Sequence, residues 1–163
     1  MPNSKQYNAQ GEMQLVAEWL MTLPPTYQSK THVNVGKQEL FYAGMALTPA
    51  QSRAFGVWND WADARVFTGA AVWIVEGKLV ALGSAYGQVL DYVNQYPQSE
   101  DYQQFAPAPI VPVVLTMASR QRTAALFAGM GVQTIVFAPS FPLAQALAKL
   151  FPAAQVLSGT GAP

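Results

Sequence analysis

From Gly11 to Leu23 the apolar residues Met13, Leu15, Val16, Trp19, Leu20 and Leu23 recur at helical spacing, and Pro24-Pro25 close the run. That spacing predicts a first helix. Thr31 to Val35 alternate polar and apolar residues, which predicts a short strand. Thr48-Pro49 reads as a helix start, with Thr48 as N-cap and Pro49 at the first helical position. This helix would carry Phe55, Val57, Trp58 and Trp61. A strand is expected from near Asp63, a turn at Thr68-Gly69-Ala70, and a return strand from Ala71 to Val80. Ser84 reads as the N-cap of a helix running to Tyr96, ahead of Pro97, and the polar, Pro-rich residues 98–109 read as a surface loop. Ile110 to Met117 are strongly β-forming. Ser119 to Gly129 predict a helix ended by Gly129 and Gly131. Val132 to Phe137 predict another strand, and Phe141 to Phe151 a last amphipathic helix.

A hairpin followed by β-α-β-α implies a mixed central sheet flanked by helices, so the expected fold class is α/β. At 163 residues the chain is most simply one domain, residues 1–156, with the Gly- and Ser-rich residues 157–163 as a flexible tail. The composition, 51% hydrophobic and 12% aromatic, supports a well-packed globule. A net charge of zero counts against tight non-specific DNA binding but leaves room for a local basic rim. The absence of cysteine excludes disulfides and thiolate zinc sites. His32 is the only histidine, which excludes multi-histidine metal sites and speaks against a Ser-His-Asp triad; it reads as an ordinary surface or strand residue. The polar start MPNSKQYNAQGE lacks the apolar segment of a signal peptide, and no apolar run approaches the roughly 18 residues of a membrane span. A cytoplasmic protein with no membrane partner is therefore expected.

Against this background, with only 11% charged residues, the acid and lysine inside VWIVEGKLVAL stand out. Burying an unpaired charge costs on the order of several kcal/mol unless a partner or a metal compensates. If the hairpin turn is centred between Gly69 and Ala70, Asp63 falls directly opposite Glu76, with Cβ atoms roughly 5 Å apart. Lys78, two residues on, shares that face. Two carboxylates so close repel unless a cation sits between them, and oxygen ligands with open positions suit Mg²⁺ or Mn²⁺. Such a metal would acidify a bound water and stabilise charge on a scissile phosphate, with Lys78 orienting the water or neutralising the transition state. Gly77 lets the backbone approach closely, and its carbonyl is a natural further ligand. Gln88 and Tyr92 share one face of the next helix and would reach the cluster if that helix packs over the hairpin. Glu12 either adds an acid there or simply favours the dipole of its helix. Arg120 and Arg122 either touch phosphate at a helix start or form a solvated face. Trp58, Trp61 and Trp73 read as core. For Glu76 and Lys78 the plainer alternative is the exposed end of an edge strand.

Asp63 in WADARV, Glu76-Gly77-Lys78 in WIVEGK and Gln88 to Tyr92 in GQVLDY together resemble the motifs of the PD-(D/E)XK nuclease superfamily, in its RecB-like branch. The resemblance covers roughly Gly11 to Pro139; no proline precedes Asp63. It implies a restriction-endonuclease-like core of order α-β-β-β-α-β. It also implies a Mg²⁺- or Mn²⁺-dependent nuclease that hydrolyses DNA phosphodiester bonds through a metal-activated water. Asp63, Glu76 and the Gly77 carbonyl would ligate the metal, and Glu12 would be the first-helix acid. Lys78 would be the catalytic lysine, with Gln88 and Tyr92 supporting the site or the DNA. Small stand-alone versions of this domain resemble those of bacteriophages, so host cytoplasm or virion is the expected setting, with a homo-oligomer or phage-particle proteins as further partners. The alternative from a different class is a structural or assembly component of a phage particle, built on the same fold and recruited for its surface.

Overall fold

The computed structural model describes residues 4–36, 41–42, 45–46 and 61–142. In chain order these form α1 (Ser4–Leu20), β1 (Gln28–Asn34), β2 (Phe41–Tyr42), β3 (Met45–Ala46), β4 (Trp61–Phe67), β5 (Val72–Ala81), α2 (Gly83–Gln95), β6 (Ile110–Ser119), α3 (Gln121–Ala128) and β7 (Gln133–Val136). Five strands make one mixed sheet in the order β1-β4-β5-β6-β7, while β2 and β3 pair separately. The first two neighbour pairs are antiparallel and the last two parallel. The fold is therefore α/β with an open mixed sheet, as the element pattern implies. None of its helices, among the described residues, is long and apolar enough to cross a membrane.

β5 holds the centre because helices cover both of its faces, and its Val-Trp-Ile-Val opening is the near-continuous apolar run that a doubly covered strand requires. On one side Leu15, Val16 and Trp19 of α1 pack with Ala64, Val66, Val75, Leu79, Val113 and Leu115. On the other, Ala85, Tyr86, Val89 and Tyr92 of α2 pack with Val72, Ile74 and Val114, and Phe127 of α3 joins them. Gly69, at φ +90°, makes the β4–β5 turn, and Thr68 closes it by accepting the Ala70 and Ala71 amides on its hydroxyl. The ladder pairs Phe67 with Val72 and Ala64 with Val75, the register expected from the turn.

Several expectations need correction. The first helix ends at Leu20, not Leu23, and the first strand runs over Gln28–Asn34. Trp61 opens β4 rather than closing a helix, because it pairs with Asn34 across the sheet. The helix after β5 begins at Gly83 with Leu82 as an N-cap that makes no side-chain bond, so Ser84 is not its cap. Residues 98–109 carry no strand or α-helix and are largely exposed, as a surface loop would be, but part of the segment turns inward. Short 3₁₀ turns at Tyr96–Gln98 and Tyr102–Gln104 fold the segment against the sheet, burying Tyr96, Ser99 and Asp101. The helix expected from Thr48-Pro49, the helix to Phe151 beyond Pro142, and the tail 157–163 lie outside the described residues.

Candidate functional site

The site forms where β4 loses its neighbours. Its pairing with β5 ends at Ala64–Val75, and its pairing with β1 runs through Thr31–Ala64 and Val33–Ala62 but passes over the position where His32 would face Asp63. His32 takes φ +51°, a left-handed conformation that costs a residue with a side chain roughly 1–2 kcal/mol. Asp63 is thus left without a paired residue in either ladder. Its carboxylate supplies what the backbone does not: Oδ2 accepts the Gly77 N–H at 2.8 Å.

Glu76 would come next in register, directly opposite Asp63. It is 2% exposed, in the central strand of the sheet, so the edge-strand alternative does not hold. Its Oε1 lies 2.8 Å from Lys78 Nζ, and the same ammonium lies 3.2 Å from Oε2 of Glu12 on α1. Lys78 and Glu76 share strand parity, whereas Glu12 belongs to the helix over the other face. The lysine therefore links the two layers at the seam between β4 and β5. Electrostatics follow from burial. Desolvation and the Asp63 charge push the Glu76 carboxyl up to about 7, although Lys78 pulls the other way. Desolvation also raises Asp63, against the Gly77 N–H, Lys78 and His32. Glu12 is raised by burial despite the lysine. Burial alone would lower Lys78, but Glu76 and Glu12 outweigh it and hold the ammonium charged well above its ordinary range.

Gly77 sits where the strand meets α1. A Cβ there would stand 2.6 Å from Val16 Cγ2, inside van der Waals contact with a buried, branched side chain. Gly77→Ala is therefore expected to destabilise the fold by about 1–3 kcal/mol through displacement of α1. A urea unfolding midpoint equal to that of the parent would contradict this packing.

Gln88 is exposed and Tyr92 buried on α2, and the Gln88 amide donates to the Tyr92 hydroxyl. This pair lies over the sheet face that carries Val72 and Ile74, to which Glu76 belongs by strand parity. Arg120 is the N-cap residue of α3 and Arg122 lies in its first turn. Both are exposed, and neither forms an ion pair with the acid–lysine cluster among the described residues. Trp73 is partly buried, stacked on Trp19 with 6.5 Å between ring centroids, in keeping with a core role. Trp58 lies outside the described residues.

Two features escaped sequence reasoning. His32 is exposed yet lies flat on Trp61, ring centroids 4.3 Å apart and planes 3° from parallel, and its charge favours the ionised form of Asp63. The other is a buried ion cluster. Arg65 Nε donates to Asp101 at 3.0 Å, Lys30 donates to the same carboxylate at 3.0 Å, and the Tyr96 hydroxyl at 2.7 Å. The signal for it was an arginine in the middle of a buried strand, WADARVF, which needs an acid from elsewhere.

Among the described residues, no three acidic or histidine side chains are grouped as a metal ligand set, and Lys78 pairs with both Glu76 and Glu12. Two carboxylates, Glu76 and Glu12, pair with the one ammonium, and Asp63 and Glu76 are desolvated, with the Asp63 charge acting on Glu76. No protein-family model, curated protein or solved structure matches the chain.

Proposed function

We propose that the chain is a divalent-metal-dependent nuclease of the PD-(D/E)XK kind, with a restriction-endonuclease-like core, acting on DNA phosphodiester bonds. The observation that carries the reading is the buried Glu76 in the central strand, next in register to Asp63 and paired with Lys78. With β2 and β3, which pair separately, set aside, the order α1-β1-β4-β5-α2-β6 of the main sheet and its helices supports the same reading. A Mg²⁺ or Mn²⁺ ion held by Asp63, Glu76 and the Gly77 carbonyl, with Glu12 nearby, would supply Lewis-acid stabilisation of phosphate charge and a more acidic water.

The chain's own groups do the rest. Asp63 is oriented by the Gly77 N–H, which engages one oxygen and leaves the other for the site. Lys78 keeps its proton through neutral pH, so it offers a fixed positive charge to a phosphate oxygen or a hydrogen bond to the attacking water. Gln88 and Tyr92, tied to each other, present a polar edge from α2 for positioning substrate.

The test is cleavage of linear duplex, circular and single-stranded DNA in Mg²⁺ or Mn²⁺, with Glu76→Ala alongside. Losing a metal ligand forfeits several kcal/mol of transition-state stabilisation, so the variant should be slower by about 10²-fold or more. The substrate pattern separates exonuclease from endonuclease. A parent protein that cleaves none of these in either metal would overturn the reading and move the weight to a particle component that uses the same scaffold for its surface.

A further inference from the structure

Beside the acid–lysine cluster lies an arrangement that packing alone does not require. His32 is solvent-exposed, yet its backbone is held in the left-handed region and the β1–β4 ladder is interrupted to accommodate it. Residues held in such conformations persist only where the surroundings fix them, and they concentrate at functional positions. The interruption falls at the register position of Asp63, and His32 is close enough for its charge to act on that carboxylate. The ring it presents is backed by an indole: Trp61 lies parallel at 4.3 Å and is itself only partly buried. One face of the imidazole lies against Trp61, and the residue as a whole is exposed.

We propose that His32 and Trp61 form a stacking platform that holds one unpaired nucleobase of the substrate next to the phosphate at Asp63. The inference rests on the nuclease reading for its substrate and names what that reading leaves open, the recognition of a base freed from pairing. A flat ring already stacked on an indole extends naturally by one further π-system, and every base offers such a face. The platform is sequence-tolerant, because stacking reads no hydrogen-bond pattern. It favours single strands, frayed ends or flaps over intact duplex, since in a duplex each base is already stacked.

The experiment measures binding of a labelled oligothymidylate and of an abasic sugar-phosphate oligomer of equal length by fluorescence anisotropy, with Ca²⁺ in place of Mg²⁺. Parent protein is compared with His32→Asn and Trp61→Leu. Asparagine tolerates a positive φ, so His32→Asn removes the ring without adding backbone strain, and an unchanged urea midpoint confirms its fold. The parent should bind the base-bearing oligomer about tenfold more tightly than the abasic one. Both variants should lose that preference while binding the abasic oligomer as the parent does. Equal binding of the two oligomers by the parent, no binding of either, or a preference that survives in the folded His32→Asn protein would overturn the proposal. Cleavage of the same oligothymidylate in Mg²⁺ is read separately. Base-dependent binding without cleavage sinks the nuclease reading and leaves the platform standing, whereas cleavage without base preference does the reverse.

Discussion

Asp101→Ala is expected to lower the free energy of unfolding by about 3–5 kcal/mol, the cost of leaving a buried cation without its partner. Arg65 is 6% exposed and spends its donors on Asp101 and on the Gln28 carbonyl at 3.0 Å, with its guanidinium 4.4 Å above the Phe105 ring. Removing the carboxylate strands that guanidinium and also frees Lys30 and the Tyr96 hydroxyl. The same carboxylate ties the 96–105 segment to β1 and β4, beside the apolar packing of Tyr96 and of Phe105 on Phe67. Burial pushes the Asp101 carboxyl up, but hydrogen bonds from Tyr96, Arg65 and Lys30 outweigh it and hold it below its usual range. Its folded pKa is thus depressed relative to the unfolded chain. The stabilisation it gives is present above the ordinary carboxylate pKa and is lost as pH falls through the depressed value. Urea melts of parent and variant should converge in acid and separate near neutrality. A gap that stays constant down to strongly acidic pH would sink the account. Replacing Arg65 and Asp101 together by apolar residues should recover much of the loss, since no orphaned charge remains.

Lys78→Met should leave the chain folded and slow cleavage by about 10²–10³-fold, the usual cost of deleting one preorganised charge at a developing anion. The fold survives because the carboxyl left behind has an exit. Glu76 is already pushed up to about 7 by burial and by Asp63, and without the ammonium it takes a proton more readily instead of remaining as a buried anion. Single-turnover rates at saturating metal give the clean comparison. A rate within a few-fold of the parent would remove Lys78 from the chemistry and leave it only as the clasp between Glu76 and Glu12.

The parts of this site that local chemistry sets were readable in the amino-acid string. The Thr68-Gly69-Ala70 turn fixes the hairpin register, and with it the approach of Asp63 to Glu76. An acid and a lysine inside an apolar run announce themselves because burial makes them costly. What could not be read depends on contacts distant along the chain. Residues 98–109 look like a loop because they are polar and rich in proline, yet Asp101 is drawn inward by Arg65, which lies 36 positions earlier. Thr31 to Val35 alternate like any strand, and only the gap in pairing with β4 shows that His32 leaves the regular conformation. At Trp61 apolar spacing fits a helix and a strand equally well, and cross-strand pairing with Asn34 decides.

The bond from Gly77 to Asp63 has one more consequence. Oδ2 is committed to the main chain, so Oδ1 is the atom this residue has to offer. A single side chain therefore stands in for a missing strand partner and, under the proposed metal chemistry, would also serve as an electron-pair donor in the seam. An amide in its place could keep only one of these duties: with its oxygen turned to the Gly77 N–H it would present hydrogen atoms to an incoming cation, and with its oxygen turned outward it would set two donors against each other. Among short side chains, only a carboxylate has a lone pair on both sides. Position 63 is thereby closed to neutral isosteres by the shape of the backbone as much as by the chemistry, and an inactive variant there would report on both at once, which makes Glu76 the cleaner probe.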